Sequence, residues 1–207
     1  ELLDGRPRRF VQLATAAGRE SAERIDYWQQ LGAAQARRLH AEQVWVPVFD
    51  RQHADRAGFV ELIENAGLIY LSGGDPSYLA DTLVGSAVGD AIAEQWRSGA
   101  SLAGCSAGAM ALGPSVPHVR QLQRRRTPGL NVVPDLHVLP HYDKFFSWMP
   151  DRVQHFLTGA TDGAATVGID ELTALVKLDE QWQVHGRGQV HCLTEDPIRL
   201  LKVGDVY

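Results

Sequence analysis

Residues 102–110 read LAGCSAGAM and place two nucleophile types side by side, Cys105 and Ser106, among residues too small to hide either one. A serine hydroxyl is inert near neutral pH unless a base takes its proton, and a cysteine needs its thiol pKa lowered. Gly104-Cys105-Ser106-Ala107-Gly108 matches G-x-S-x-G, a strained strand-to-helix turn that lifts a serine oxygen clear of its surroundings. Centred on Ser106, the two cramped positions are the glycines 104 and 108; centred on Cys105, they are Ala103 and Ala107, a poorer fit. Ser106 is therefore expected to be the nucleophile and Cys105 a small packed neighbour. The alternatives are Cys105 as nucleophile and a purely structural Gly-Ala turn.

A base must come from one of eight histidines. His40, His53, His118, His155 and His185 fall in helical, loop or hairpin contexts that suit solvated or packing roles. Leu136–Pro140 reads as a strand, which places His137 inside it as a core histidine and His141 just beyond its carboxyl end. Doubly wound sheets open their ligand crevices at that edge, so His141 is the expected base. Three carboxylates compete to orient it: Asp143, two residues on, and Asp170 or Glu171, at the end of the apolar run Ala165–Ile169. A further turn, Ser72-Gly73-Gly74-Asp75-Pro76, follows the run Leu68–Leu71 and could offer a backbone N–H to an oxyanion, or serve only as a turn and helix cap.

The elements that must position these residues alternate along the chain. Strand-like runs Phe10–Ala14, Val44–Val48, Leu68–Leu71 and Ser101–Gly104 are separated by helical spacing over 21–40, about 59–65 and a region ending near Gly99; a helix over 107–112 follows. Short connections and right-handed crossovers then predict a doubly wound, mostly parallel α/β sheet in one domain spanning 1–207. Ala174–Leu178, Trp182–His185 and Gln189–Cys192, separated by Asp179-Glu180 and Gly186-Arg187-Gly188, read as an antiparallel C-terminal meander. Arg124-Arg125-Arg126 is expected in a solvated loop, with an anionic-ligand contact as the sharper alternative.

Bulk numbers fit this reading. The net charge of −5 disfavours nucleic acid and anionic membrane as partners. Two cysteines, no apolar run of membrane length and no secretory leader pattern point to the cytoplasm. The sequence opens on Glu1 rather than Met, which leaves the native start open.

LSGGD (71–75), GCSAGAM (104–110), LPHYD (139–143) and GIDELTALV (168–176) together resemble the serine peptidase family of dipeptidase E and cyanophycinase, built on a class I glutamine amidotransferase-like scaffold. The resemblance implies Ser106 as nucleophile, His141 as base and Glu171 as acid. It further implies oxyanion donors at Gly74 and Ala107 and substrate contacts at Gly73, Asp75 and Asp143. It implies no cofactor and no metal. The dipeptidase E pattern places its acid shortly after the nucleophile, where this chain has Gln121 and Arg124–Arg126, which favours Glu171. Pro76 after GGD, and Leu139-Pro140 ahead of the base, depart from the cyanophycinase pattern and argue against cyanophycin as substrate.

The expected activity is hydrolysis of amide bonds in short peptides through an acyl-enzyme, with homodimerisation left open. Arg120 and Arg124–Arg126 are candidates to meet an acidic substrate group. Two rival readings stand beside it: a Cys105-dependent glutaminase with Asp143 as its acid, and a non-catalytic binding module on the same scaffold.

Overall fold

Four consecutive residues of the first strand, Phe10–Leu13, are buried, so this strand is covered on both faces. A computed structural model describes residues 2–118, 123–146, 163–178 and 180–207, the side chains of 118, 123–125 and 145–146 aside. They form two compact units, Glu1–Val132 and Val133–Tyr207.

The first unit runs β1 (Arg9–Leu13), α1 (Ala22–Arg38), β2 (Glu42–Val46), α2 (Arg51–Ala54), α3 (Ala57–Glu61), β3 (Leu68–Leu71), α4 (Pro76–Leu83), α5 (Ala87–Arg97), β4 (Ser101–Gly104) and α6 (Ala107–Ala111). Its sheet has the order β2-β1-β3-β4, parallel throughout. Side chains alternate across it. Val11, Leu13, Val44, Val46, Ile69 and Leu71 join one core with Leu79, Leu83, Val88 and Ile92 of α4 and α5. Phe10 and Leu68 join Ala36 of α1 on the other face. This is the expected α/β layering, with helices on both sides of a parallel sheet.

Local signals fix the boundaries. Ser21, in extended conformation, precedes α1, and Asp75 Oδ1 accepts the Tyr78 N–H at 3.1 Å to start α4 behind Pro76. The second strand ends at Val46, not Val48, because Pro47 has no N–H to continue the ladder. A hairpin of β5 (Ser115–His118) and β6 (Gln123–Pro128) completes the unit. The Arg124–Arg126 run therefore lies in a strand rather than a loop, and the Arg126 guanidinium donates to Ser115 Oγ at 2.7 Å and to its carbonyl at 3.1 Å. Arg120, Gln121, His155 and Asp179 lie outside the described residues.

The second unit contains β7 (Leu136–Pro140), β8 (Ala165–Ile169), β9 (Thr173–Leu178), β10 (Gln181–Gly186), β11 (Val190–Cys192) and β12 (Arg199–Leu201). Its sheet has the order β12-β11-β8-β7, with β7 and β8 parallel and the other pairs antiparallel. The strands β9 and β10 pair as a hairpin. The expected three-stranded meander is thus corrected. After β10 the chain leaves the hairpin, and β11 pairs with β8, where Val190 and Cys192 join Val167 in a core of their own.

Candidate active site

Ser106 sits between the end of β4 and the start of α6 with φ 51° and ψ −114°, a conformation that L-residues rarely adopt and that costs about 1–3 kcal/mol. The flanking glycines make the bend feasible. A β-carbon at 104 would collide with the Gly108 carbonyl, and one at 108 with the Leu71 carbonyl. Cys105 is held behind the turn, its N–H donating to the Leu71 carbonyl at 3.1 Å. Burial pushes the Cys105 thiol up, outweighing hydrogen bonds with Tyr70 and the Gly73 backbone. Burial likewise raises the Tyr70 phenol. Both groups are neutral near pH 7, the opposite of an activated thiolate.

The glycine turn closes on the same bend. A β-carbon at residue 73 would stand 3.2 Å from the β-carbon of Ser106 and 3.1 Å from Cζ2 of Trp28. Gly74 has φ 143°, and a side chain there would strike the Ala16 carbonyl, so only glycine fits. The next N–H, that of Asp75, donates to the Ala16 carbonyl at 2.8 Å, which pins the turn to Thr15–Ala17. Asp75 spends a carboxylate oxygen on capping α4, and Ala107 is buried at the start of α6. The turn after β3 and the bend after β4 thus meet at Gly73 and Ser106.

The second unit gathers the imidazole and the carboxylates. His141 leaves the end of β7 with φ 56°, and its Nδ1 lies 2.7 Å from Glu171 Oε1. With the carboxylate accepting, Nδ1 carries the proton and Nε2 keeps the lone pair. Asp143 Oδ1 accepts the Glu171 N–H at 2.9 Å, so it steadies the backbone of the residue that meets the imidazole. Asp170 is used elsewhere: Oδ1 pairs with His191 Nε2 at 3.0 Å and Oδ2 accepts the Gln189 N–H at 3.0 Å. The His191 ring packs at a 39° tilt against Tyr142, with centroids 4.4 Å apart. His137 is buried within its strand. Among the described residues no group of three or more His, Cys, Asp or Glu side chains is placed to hold a metal ion.

A model of peptidase family S51 matches residues 17–185. The chain belongs to peptidase family S51. It is a serine-type peptidase. Among solved structures, a peptidase from an acI-B1 Actinobacterium is 45% identical, with a TM-score of 0.93 over 100% of this chain and 87% of that one. A Listeria monocytogenes EGD-e protein with a provisional peptidase E assignment gives a TM-score of 0.64 at 17% identity, covering 87% of each chain. That second likeness speaks for the fold alone. No curated protein matches the S51 chain significantly. No described helix is long and apolar enough to cross a membrane.

Sequence reasoning missed two neighbours of these residues. Trp28 falls within the helical spacing over 21–40, and its approach to Gly73 is tertiary and leaves no local signal. His191 carried no signal beyond its place in a strand.

Proposed function

We propose that this S51 peptidase hydrolyses amide bonds in short peptides with Ser106 as nucleophile, His141 as general base and Glu171 as the orienting acid. The observation that carries the reading is the 2.7 Å contact between His141 Nδ1 and Glu171 Oε1, the arrangement in which a carboxylate orients a neutral imidazole with Nε2 as its proton acceptor. In this mechanism Ser106 Oγ attacks the substrate carbonyl as its proton passes to His141 Nε2. Glu171 stabilises the resulting imidazolium, and the N–H groups of Gly74 and Ala107 receive the oxyanion. The imidazolium then protonates the leaving amine. Water, deprotonated by the same nitrogen, releases the acid and restores Ser106.

Gly73, Asp75 and Asp143 border the substrate in this reading, and Glu1–Tyr207 works as one domain. Cyanophycin is not the substrate. Two free cysteines suit a cytoplasmic enzyme. The half-buried, neutral thiol of Cys105 counts against the glutaminase alternative.

A fluorophosphonate probe together with a dipeptide and tripeptide library tests the proposal. The wild type is expected to be labelled and to cleave peptides, and Ser106→Ala to do neither. His141→Ala should lose turnover by several orders of magnitude. Labelling that persists in Ser106→Ala would overturn the assignment.

A further inference from the structure

The space beside Ser106 is bounded by α1. Cζ2 of Trp28, its Cη2 and the Ser106 β-carbon all lie within 3.3 Å of the point where a β-carbon of residue 73 would stand. The six-membered edge of the indole and the Ser106 β-carbon therefore border the same small space over Gly73. Trp28 is half-buried, and its Nε1 is enclosed without a hydrogen-bond partner among the described residues. Tyr27 meets the Trp28 ring edge-on at 5.5 Å, and Tyr27 and Leu31 are 49% and 47% exposed on the same helix.

The charge nearby is already engaged. The Arg24 guanidinium lies 4.9 Å from the Tyr27 ring centre and 5.4 Å from that of Trp28, and its Nε pairs with Glu20 at 3.4 Å. The α1 atoms that approach the glycine turn beside Ser106, Cζ2 and Cη2 of Trp28, are hydrocarbon.

We propose that Trp28 is a specificity-determining residue: its indole is the wall against which the substrate side chain next to the attacked carbonyl packs. The enzyme accordingly favours short peptides with a large apolar residue at that position. The proposal rests on Ser106 being the nucleophile, since the attacked carbonyl must reach its oxygen and the flanking side chain is then only a few bonds from the indole. The wall itself belongs to α1. Gln12, buried in β1, donates through Nε2 to the Trp28 carbonyl at 2.7 Å and to Ser72 Oγ at 3.3 Å. One amide thereby ties the helix at Trp28 to the start of the glycine turn.

The test is a tetrapeptide library varying Ala, Leu, Phe and Asp at each position, with the cleaved bond read by mass spectrometry. It is run on wild type, Trp28→Ala, Trp28→Phe and Arg24→Ala, alongside fluorophosphonate labelling of Ser106 and thermal melts. Wild type is expected to favour Leu and Phe over Ala at the attacked residue by about 10–100-fold in kcat/KM. Trp28→Ala should shrink that ratio to within about 3-fold, with the loss in kcat/KM falling mainly on the Leu and Phe peptides. Trp28→Phe should keep most of the preference.

Equal loss on every peptide, no preference in the wild type, or a preference for Asp that disappears in Arg24→Ala would each overturn the proposal. Absence of Ser106 labelling in the wild type is a different failure, because it removes the serine assignment on which the proposal stands.

Discussion

The carboxylates around His141 have separable jobs, and substitution can tell them apart. Glu171→Gln keeps the shape of the side chain but lets the amide hold His141 in the wrong tautomer, so kcat should fall about 10²–10⁴-fold with KM little changed. Asp143→Asn still accepts the Glu171 N–H through its amide oxygen, and steady-state kinetics should show a loss below about 10-fold. Asp143→Ala should cost more than the asparagine variant. A fall in Asp143→Asn as large as in Glu171→Gln would show that Asp143 is the acid. For Cys105, burial keeps the thiol protonated to higher pH in the folded chain than in the unfolded one. Iodoacetamide should thus react more slowly with native than with urea-unfolded protein at about pH 8, and native labelling should speed up as pH rises. Cys105→Ala should retain peptide turnover.

At the scale of elements, the turn from β4 to α6 depends on contact between backbones. A β-carbon on Gly108 would overlap the Leu71 carbonyl of β3, so Gly108→Ala must push helix and strand apart. We expect destabilisation of about 1–3 kcal/mol, read from a denaturant melt, together with loss of Ser106 labelling as the bend relaxes. Such elements were readable in the sequence where apolar runs end abruptly. Leu68–Leu71, Ser101–Gly104, Leu136–Pro140 and Ala165–Ile169 each stop at a glycine, a serine, a histidine after proline, or an aspartate, and the structure keeps those limits. The hairpin Ser115–His118 with Gln123–Pro128 was not readable. It carries a proline in one strand and three arginines in the other, and Val116 is its buried apolar residue among the described side chains. Such a ribbon shows no alternation to detect. Likewise, Val190–Cys192 looks like the next strand of a meander until the pull of a separate core around Val167 is known.

Across the whole molecule, burial is uneven. Residues 10–14 of β1 and its exit are sealed from solvent, whereas the seventeen residues of α1 bury only Gly32 and Ala36 fully. Hydrogen exchange should therefore be slowest in β1 and β3 of the first unit and in β8 of the second, with the first two turns of α1 exchanging well ahead of them. Uniform protection across α1 and β1 would contradict this. The same unevenness explains what sequence reading could and could not reach. The alternation of strand and helix and the cramped elbow are written in neighbouring residues. That a tryptophan from the first helix stands beside a serine 78 positions later is decided by how the layers stack.

Gly32 gives that stacking a lasting consequence. The space where its side chain would be is filled by the Gln12 amide, and even a methyl group there would overlap the amide oxygen. The same oxygen accepts from Gln43 Nε2 at 3.1 Å, so glutamine side chains from adjacent strands key the helix to a single register. A helix locked in this way cannot slide along the sheet. Any change in what Trp28 presents beside the glycine turn must then come from exchanging side chains on a helix that stays where it is.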